Sequence, residues 1–115
     1  MKDHLISKDI TLLEALSRIC DLAPEPLVLF VIDEEKRMVG TLTDGDSRRA
    51  LIAGASVSDK VEKIMHRDFN YMRVEDIDDV KEIKRQRDLK MRLVQVLDAE
   101  KHIVEIINLE KYNSR

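Results

Sequence analysis

Apolar residues fall along this chain in two kinds of spacing, and the change from one to the other marks its elements. Leu12, Ala15, Leu16 and Ile19 recur at three and four residues, which places them on one face of a helix. Thr11-Leu12-Leu13-Glu14 opens that helix with the spacing of a capping box. The threonine oxygen accepts an early helix amide, and the glutamate reaches back to the threonine amide. Pro24 and Pro26 end the helix and return the chain to an extended form. Leu27 to Ile32 is a continuous apolar run without a turn residue, the pattern of a buried strand. The polar stretch Asp33 to Arg37 then turns the chain into a second strand, Met38 to Thr43. A short helix from about Asp46 to Ala53 follows, stopped by Gly54. With the apolar piece Leu5-Ile6 in front, the predicted order is strand, helix, strand, strand, helix.

The same order returns with weaker signals. Ser58 to Met65 reads as a connecting helix with Val61, Ile64 and Met65 inward, and Phe69 to Arg73 as a short extended piece. Asp76 and Asp79 stand where the first copy has Thr11 and Glu14, so Asp76 is the predicted cap of a helix that turns Ile77, Val80 and Ile83 inward. Strands Leu93 to Leu97 and Ile103 to Asn108 follow, then a charged terminal turn. Asp33-Glu34-Glu35-Lys36-Arg37-Met38-Val39 recurs 65 residues later as Asp98-Ala99-Glu100-Lys101-His102-Ile103-Val104. Beyond it the copies diverge, and Gly40, Thr43 and Asp46 fall against Glu105, Asn108 and Lys111. A repeat that keeps its apolar frame and loses its polar residues is one scaffold used twice, with one site kept once. The predicted class is α/β (α+β), two β-α-β-β-α repeats over 1–57 and 58–115, packed face to face as one body.

Composition narrows what such a body does. Its 115 residues suffice for one compact domain or two small units, and 43% apolar with 37% charged residues argues against disorder. A net charge of −3 exerts no pull on nucleic acid or anionic lipid. The four aromatic residues, Phe30, Phe69, Tyr71 and Tyr112, are too few for a base-stacking platform. The single cysteine, Cys20, lies on the apolar helical face, excludes an internal disulfide and fits a reducing cytosol. The start leads into no long apolar run, so neither a signal peptide nor a membrane span is expected, and the predicted location is cytoplasmic. No metal-ligand spacing joins His4, His66, His102 and Cys20, and no nucleophile stands near a base, so neither a metal nor catalysis is expected. Lys84-Arg85-Gln86-Arg87 is the densest basic run and reads as a solvated helix end. Asp33, Glu34 and Glu35 read as a hairpin tip.

The candidate chemistry lies where the strand ending at Thr43 meets the next helix. Unpaired amides at a helix start, with the positive end of its dipole, suit a phosphate. Gly45 lets a backbone or ligand come close. The Asp46 carboxylate can accept from two neighbouring ribose hydroxyls, and the Thr43 hydroxyl can reach ribose or phosphate. Arg48 or Arg49 is placed to meet phosphates, and the spacing does not choose between them. The same residues also make an ordinary strand-to-helix turn, in which Thr43 caps and Asp46 gains from the dipole without any ligand.

Gly40-x-x-Thr43-x-x-Asp46, at a strand-helix join and within a tandem repeat, resembles the signature of CBS domains. The resemblance covers almost the whole chain as a two-copy pair, a Bateman module. It implies a regulatory, non-catalytic module that binds an adenosine-containing ligand (AMP, ADP, ATP or S-adenosylmethionine) between the repeats and needs no cofactor. Asp46 would hold the ribose with Thr43 beside it, and the adenine would sit in an apolar slot near Ile6, Leu27 and Val28. Homodimers are implied as well. The run Thr41 to Leu51 and the ending Ile103 to Lys111 are similar to CBS pairs that precede sugar-nucleotide nucleotidyltransferase domains, so an attached C-terminal enzyme of that kind is expected outside this chain. Lys111 in place of an acid makes the second site degenerate. The alternative is a dimerisation module with a vestigial, empty site.

Overall fold

The computed structural model describes residues 2–111, which fall into two compact units that divide between Phe69 and Asn70. In the first, β1 (Leu5–Ser7) lies parallel to β2 (Val28–Ile32), which pairs antiparallel with β3 (Met38–Thr43), giving the order β1-β2-β3. Helices α1 (Leu12–Leu22) and α2 (Asp44–Ile52) complete the unit. The capping box of α1 forms as predicted: the Glu14 amide donates to Thr11 Oγ1 at 3.2 Å, and the Thr11 amide donates to Glu14 Oε1 at 3.0 Å. Leu12, Ala15, Ile19 and Leu22 face inward against Ile6, Leu29, Val31 and Leu42, so the helical and strand periodicities meet in one apolar core. Cys20 is exposed, against the sequence reading. One residue past Ile19 lies about 100° round the helix, off the buried face.

The predicted helix over Ser58 to Met65 shrinks to a single turn of 3-10 helix, Val61–Lys63. Its backbone has other partners. The amides of Leu12 and Leu13, orphans at the start of α1, donate to the carbonyls of Asp59 and Val57 at 2.8 and 2.9 Å. His66 bridges Thr41 on β3 through two backbone hydrogen bonds of 2.9 and 2.8 Å. Val61 and Met65 still point into the core of the first unit, as their apolar character demands.

In the second unit, β4 (Met72–Arg73) lies parallel to β5 (Leu93–Leu97), and β5 pairs antiparallel with β6 (Ile103–Asn108). Helix α3 (Val80–Asp88) is capped by Asp79, whose carboxylate accepts from the Lys81 amide at 2.9 Å. Asp76 belongs instead to a preceding 3-10 turn, Val74–Asp76. The cap slips by three residues, and Val80 consequently lies exposed at the first helical position while Ile83 takes the core. Met72, Val94, Val96, Ile107 and Leu109 complete that core. Residues 109–111 form the charged terminal turn expected after the last strand, and the closing helix that a full β-α-β-β-α repeat would add lies outside the described residues.

The two hairpins repeat in detail. Lys36 and Lys101, at matched places, both have positive φ, 67° and 71°. In each turn an aspartate oxygen collects two amides: Asp33 Oδ1 from Glu35 and Arg37, and Asp98 Oδ1 from Glu100 and His102, all at 2.9 Å. The strand register shifts beside both turns, at Val31/Ile32 and Val96/Leu97.

Candidate functional site

The site is built from the end of β3 outward. Thr43 is the N-cap of α2, which therefore starts two residues earlier than predicted. Its Oγ1 accepts from the Asp46 amide at 3.0 Å, and Asp46 Oδ2 accepts from the Thr43 amide at 3.0 Å. The Thr-x-x-Asp spacing thus closes a second capping box, with the shorter aspartate where α1 uses glutamate. Ser47, which the sequence did not single out, is buried and donates its hydroxyl to the Thr43 carbonyl at 3.0 Å. That bond ties the first turn of the helix to the strand end. Its only signal in the sequence is a small hydroxyl four residues after the cap.

Asp46 Oδ1 accepts from Arg49 Nη2 at 2.9 Å, whereas Arg48 pairs with Asp44 at 3.2 Å. The two arginines left open by the sequence are thereby separated, and only Arg49 stands against the Asp46 carboxylate. Partial burial pushes the Asp46 carboxyl up, but the Thr43 amide and hydroxyl and the Arg49 guanidinium outweigh it and hold it below the usual aspartate value. Asp46 is therefore an anion with about a quarter of its side chain, 24%, in contact with solvent.

Leu27 and Val28 lie beside this junction. Val28 is the register partner of Thr43, and the Leu27 carbonyl accepts from the Asp44 amide at 3.3 Å. Leu27 is half exposed and offers an apolar surface there. Ile6 is placed differently: it pairs with Val31 further along the sheet, and its side chain is 3% exposed in the core of the first unit. His4, read from the sequence only as an isolated histidine, is buried with Nδ1 donating to the Val28 carbonyl at 2.8 Å. It stiffens the strand on which the junction rests.

Gly40 has a different task from its motif partners. A Cβ there would lie 2.7 Å from Met65 Sδ and 3.0 Å from the His66 carbonyl oxygen, so the glycine admits the His66 bridge to β3. Gly45 faces the Arg49 guanidinium, whose Nη1 would be 3.2 Å from an added Cβ.

The matching place in the second unit keeps the cap and loses the acid. Asn108 Oδ1 accepts from the amides of Glu110 and Lys111 at 3.0 and 3.3 Å, as Thr43 Oγ1 accepts from Asp46. Elsewhere in that unit an open pocket of about 420 Å³ is lined by Tyr71, Arg73, Asp76, Glu82 and Arg85. Its charges pair with one another, Arg85 with Glu82 at 2.7 Å and Arg73 with Asp76 at 3.7 Å. The basic run over Lys84 to Arg87 is not uniformly solvated either. Gln86 within it is buried, where it exchanges side-chain hydrogen bonds with Asn70. At the first hairpin Asp33 spends its carboxylate on the turn and on Arg37 Nε at 2.9 Å. Among the described residues no helix is long and apolar enough to cross a membrane.

No protein-family model matches the sequence, and no curated protein matches it significantly. Solved structures do match in fold. The CBS domains of a transcriptional regulator from Streptococcus pneumoniae superpose with a TM-score of 0.72 at 15% identity, over 95% of this chain and 86% of that one. The CBS domain pair of protein MJ0100, solved with 5′-methylthioadenosine and S-adenosyl-L-methionine, gives 0.67 at 24% identity, over 92% and 84%. The cytosolic domain of the Mg2+ channel MgtE, solved with ATP, gives 0.71 at 24% identity, over 92% of this chain and 42% of that one. At such identities the likeness establishes architecture: the chain has the mixed α+β fold of a CBS domain pair, with two small sheets and three α-helices among the described residues.

Proposed function

We propose that this chain is a regulatory, non-catalytic module, made of CBS repeats over 1–57 and 58–115, that binds an adenosine-containing nucleotide at the junction of β3 and α2. The observation that carries the reading is the Thr43–Asp46 pair. An ionised, partly exposed aspartate and a threonine stand together at a helix start, beside the apolar Leu27 and Val28. This is the chemistry a ribose flanked by a purine and a phosphate requires. That neighbours of the same fold were solved with ATP and with S-adenosyl-L-methionine supports the choice of ligand class. In this reading Asp46 holds the ribose, Thr43 assists, and the apolar residues Leu27 and Val28 line the side from which the base approaches, while Ile6, expected there from the sequence, is buried in the core. The module works in the cytoplasm as a homodimer and controls an attached sugar-nucleotide nucleotidyltransferase, to which the runs at Thr41 to Leu51 and Ile103 to Lys111 point.

One observation favours a second reading, an assembly module with an empty site. Thr43, Asp46 and Arg49 satisfy one another without any ligand, as a purely local cap would. Thermal shift with AMP, ADP, ATP and S-adenosylmethionine, run beside Asp46→Ala, decides between them. A ligand at a hundred times its dissociation constant stabilises by about 2.7 kcal/mol. A shift in the wild type that the variant loses supports the sensor. No shift with any of the four leaves the assembly module.

A further inference from the structure

Arg49 competes for one of the two Asp46 oxygens that a ribose diol would share. Gripping a vicinal diol takes an outward lone pair on each carboxylate oxygen. Asp46 Oδ2 accepts from the Thr43 amide, and Oδ1 is covered by Arg49 Nη2 at 2.9 Å. The guanidinium reaches it from one turn further along the helix, across Gly45, where no Cβ stands in its way. Arg49 is otherwise free to swing, with 73% of its side chain exposed. Arg48 has a different partner, Asp44, and does not touch Asp46.

We propose that Arg49 is a specificity-determining latch, which hands Asp46 over to the ribose only when a phosphate takes the guanidinium in exchange. The inference rests on the nucleotide-binding reading above. A bare nucleoside that displaces Arg49 breaks a charge-assisted hydrogen bond and leaves the guanidinium with water alone. A nucleotide breaks the same bond and offers the planar guanidinium two phosphate oxygens to bind in bidentate fashion. Arg49 thus works against adenosine and for AMP, and the discrimination resides in one side chain that releases Asp46 and takes the phosphate.

Calorimetric titration of adenosine and AMP into the whole chain tests this with four proteins: wild type, Arg49→Met, Arg49→Lys and Asp46→Ala. In the wild type AMP binds about tenfold or more tighter than adenosine, the scale of one hydrogen bond to a charged group. In Arg49→Met that ratio collapses toward one, with AMP weaker and adenosine at least as tight as in the wild type. Arg49→Lys, which keeps the charge, keeps AMP ahead. An unchanged ratio in Arg49→Met, or an equal weakening of both ligands, overturns the latch and makes Arg49 a structural prop. A lysine variant indistinguishable from the methionine one overturns it as well. Failure of the underlying reading has a separate signature: Asp46→Ala then binds AMP as the wild type does, or no protein binds either ligand. The latch itself has a readout without any ligand, because loss of Arg49 raises the Asp46 carboxyl titration seen by NMR. A titration that does not move shows that the pair is absent in solution and ends the proposal.

Discussion

Gly40, Thr43 and Asp46 form one motif in the sequence and do two jobs in the structure. Thr43 and Asp46 bond to each other across the helix start, while Gly40 leaves room for the backbone of His66. Substitution separates these roles. Gly40→Ala forces Met65 and the His66 carbonyl aside, and an expected loss of about 1–3 kcal/mol in urea unfolding follows from overpacking. Thr43→Ala removes only the cap, an expected loss of about 1 kcal/mol. If Gly40→Ala melts with the wild type, the close approach to His66 does not exist in solution. Spacing alone makes the Thr43–Asp46 box legible, because the partners are three residues apart on one helix turn. The choice between Arg48 and Arg49 was not legible, since both lie within reach of an acid, and only side-chain positions assign each its own.

At the scale of elements the repeat is the strongest signal, and its hairpins show why. Each turn is organised by its own aspartate, so the same short string folds the same way in both units. The two are not equally sheltered: the Asp33 side chain is 8% exposed and the Asp98 side chain 32%. Asp33→Ala is expected to lower the melting temperature further than Asp98→Ala does, and the reverse order would show that shelter does not set the value of the turn. The second unit carries a different device, a buried polar chain. Gln95 Nε2 donates to the Asn70 carbonyl at 2.6 Å, and Asn70 and Gln86 bond through their amides. Gln86→Leu keeps the volume and strands the Asn70 amide, with an expected loss of about 1–2 kcal/mol in urea unfolding. A neutral result would mean that Asn70 finds water instead. Nothing in the sequence marks Gln86, which sits among Lys84, Arg85 and Arg87 and reads as surface.

For the molecule as a whole, charge sets how stability responds to acid. Hydrogen bonds from the Thr11 amide and hydroxyl hold Glu14 low, and Arg85 does the same for Glu82. Against some cost of burial, Asp33, Asp46 and Asp98 are also held low, by Arg37, by Thr43 with Arg49, and by His102 with Glu100. The unfolded chain, with ordinary carboxyl groups, takes up protons first as the pH falls, so it binds more of them than the native state. Stability is therefore full above the ordinary carboxyl range and declines from about pH 5 downward as the pH passes the native values. Urea midpoints across that interval should fall with pH, less steeply in Asp46→Asn, and a flat series would show that these contacts do not survive in solution.

Local rules were enough for what depends on neighbours in sequence: the two apolar periodicities, both capping residues of the first unit, the aspartate turns and the tandem order. Each is a matter of residues within about one helical turn or one hairpin of each other, so the chain specifies it before it folds. Tertiary structure decided where long-range partners compete for the same groups. Residues 58–66 gave up a helix because their carbonyls and amides satisfy the start of α1 and the edge of β3. His4, Ser47, Gln86 and Gln95 became interior because each found a partner there, and a buried polar group without one is too unfavourable to persist. Arg49 came to rest on Asp46 for the same reason, that every strong donor and acceptor settles on the best partner the fold brings within reach.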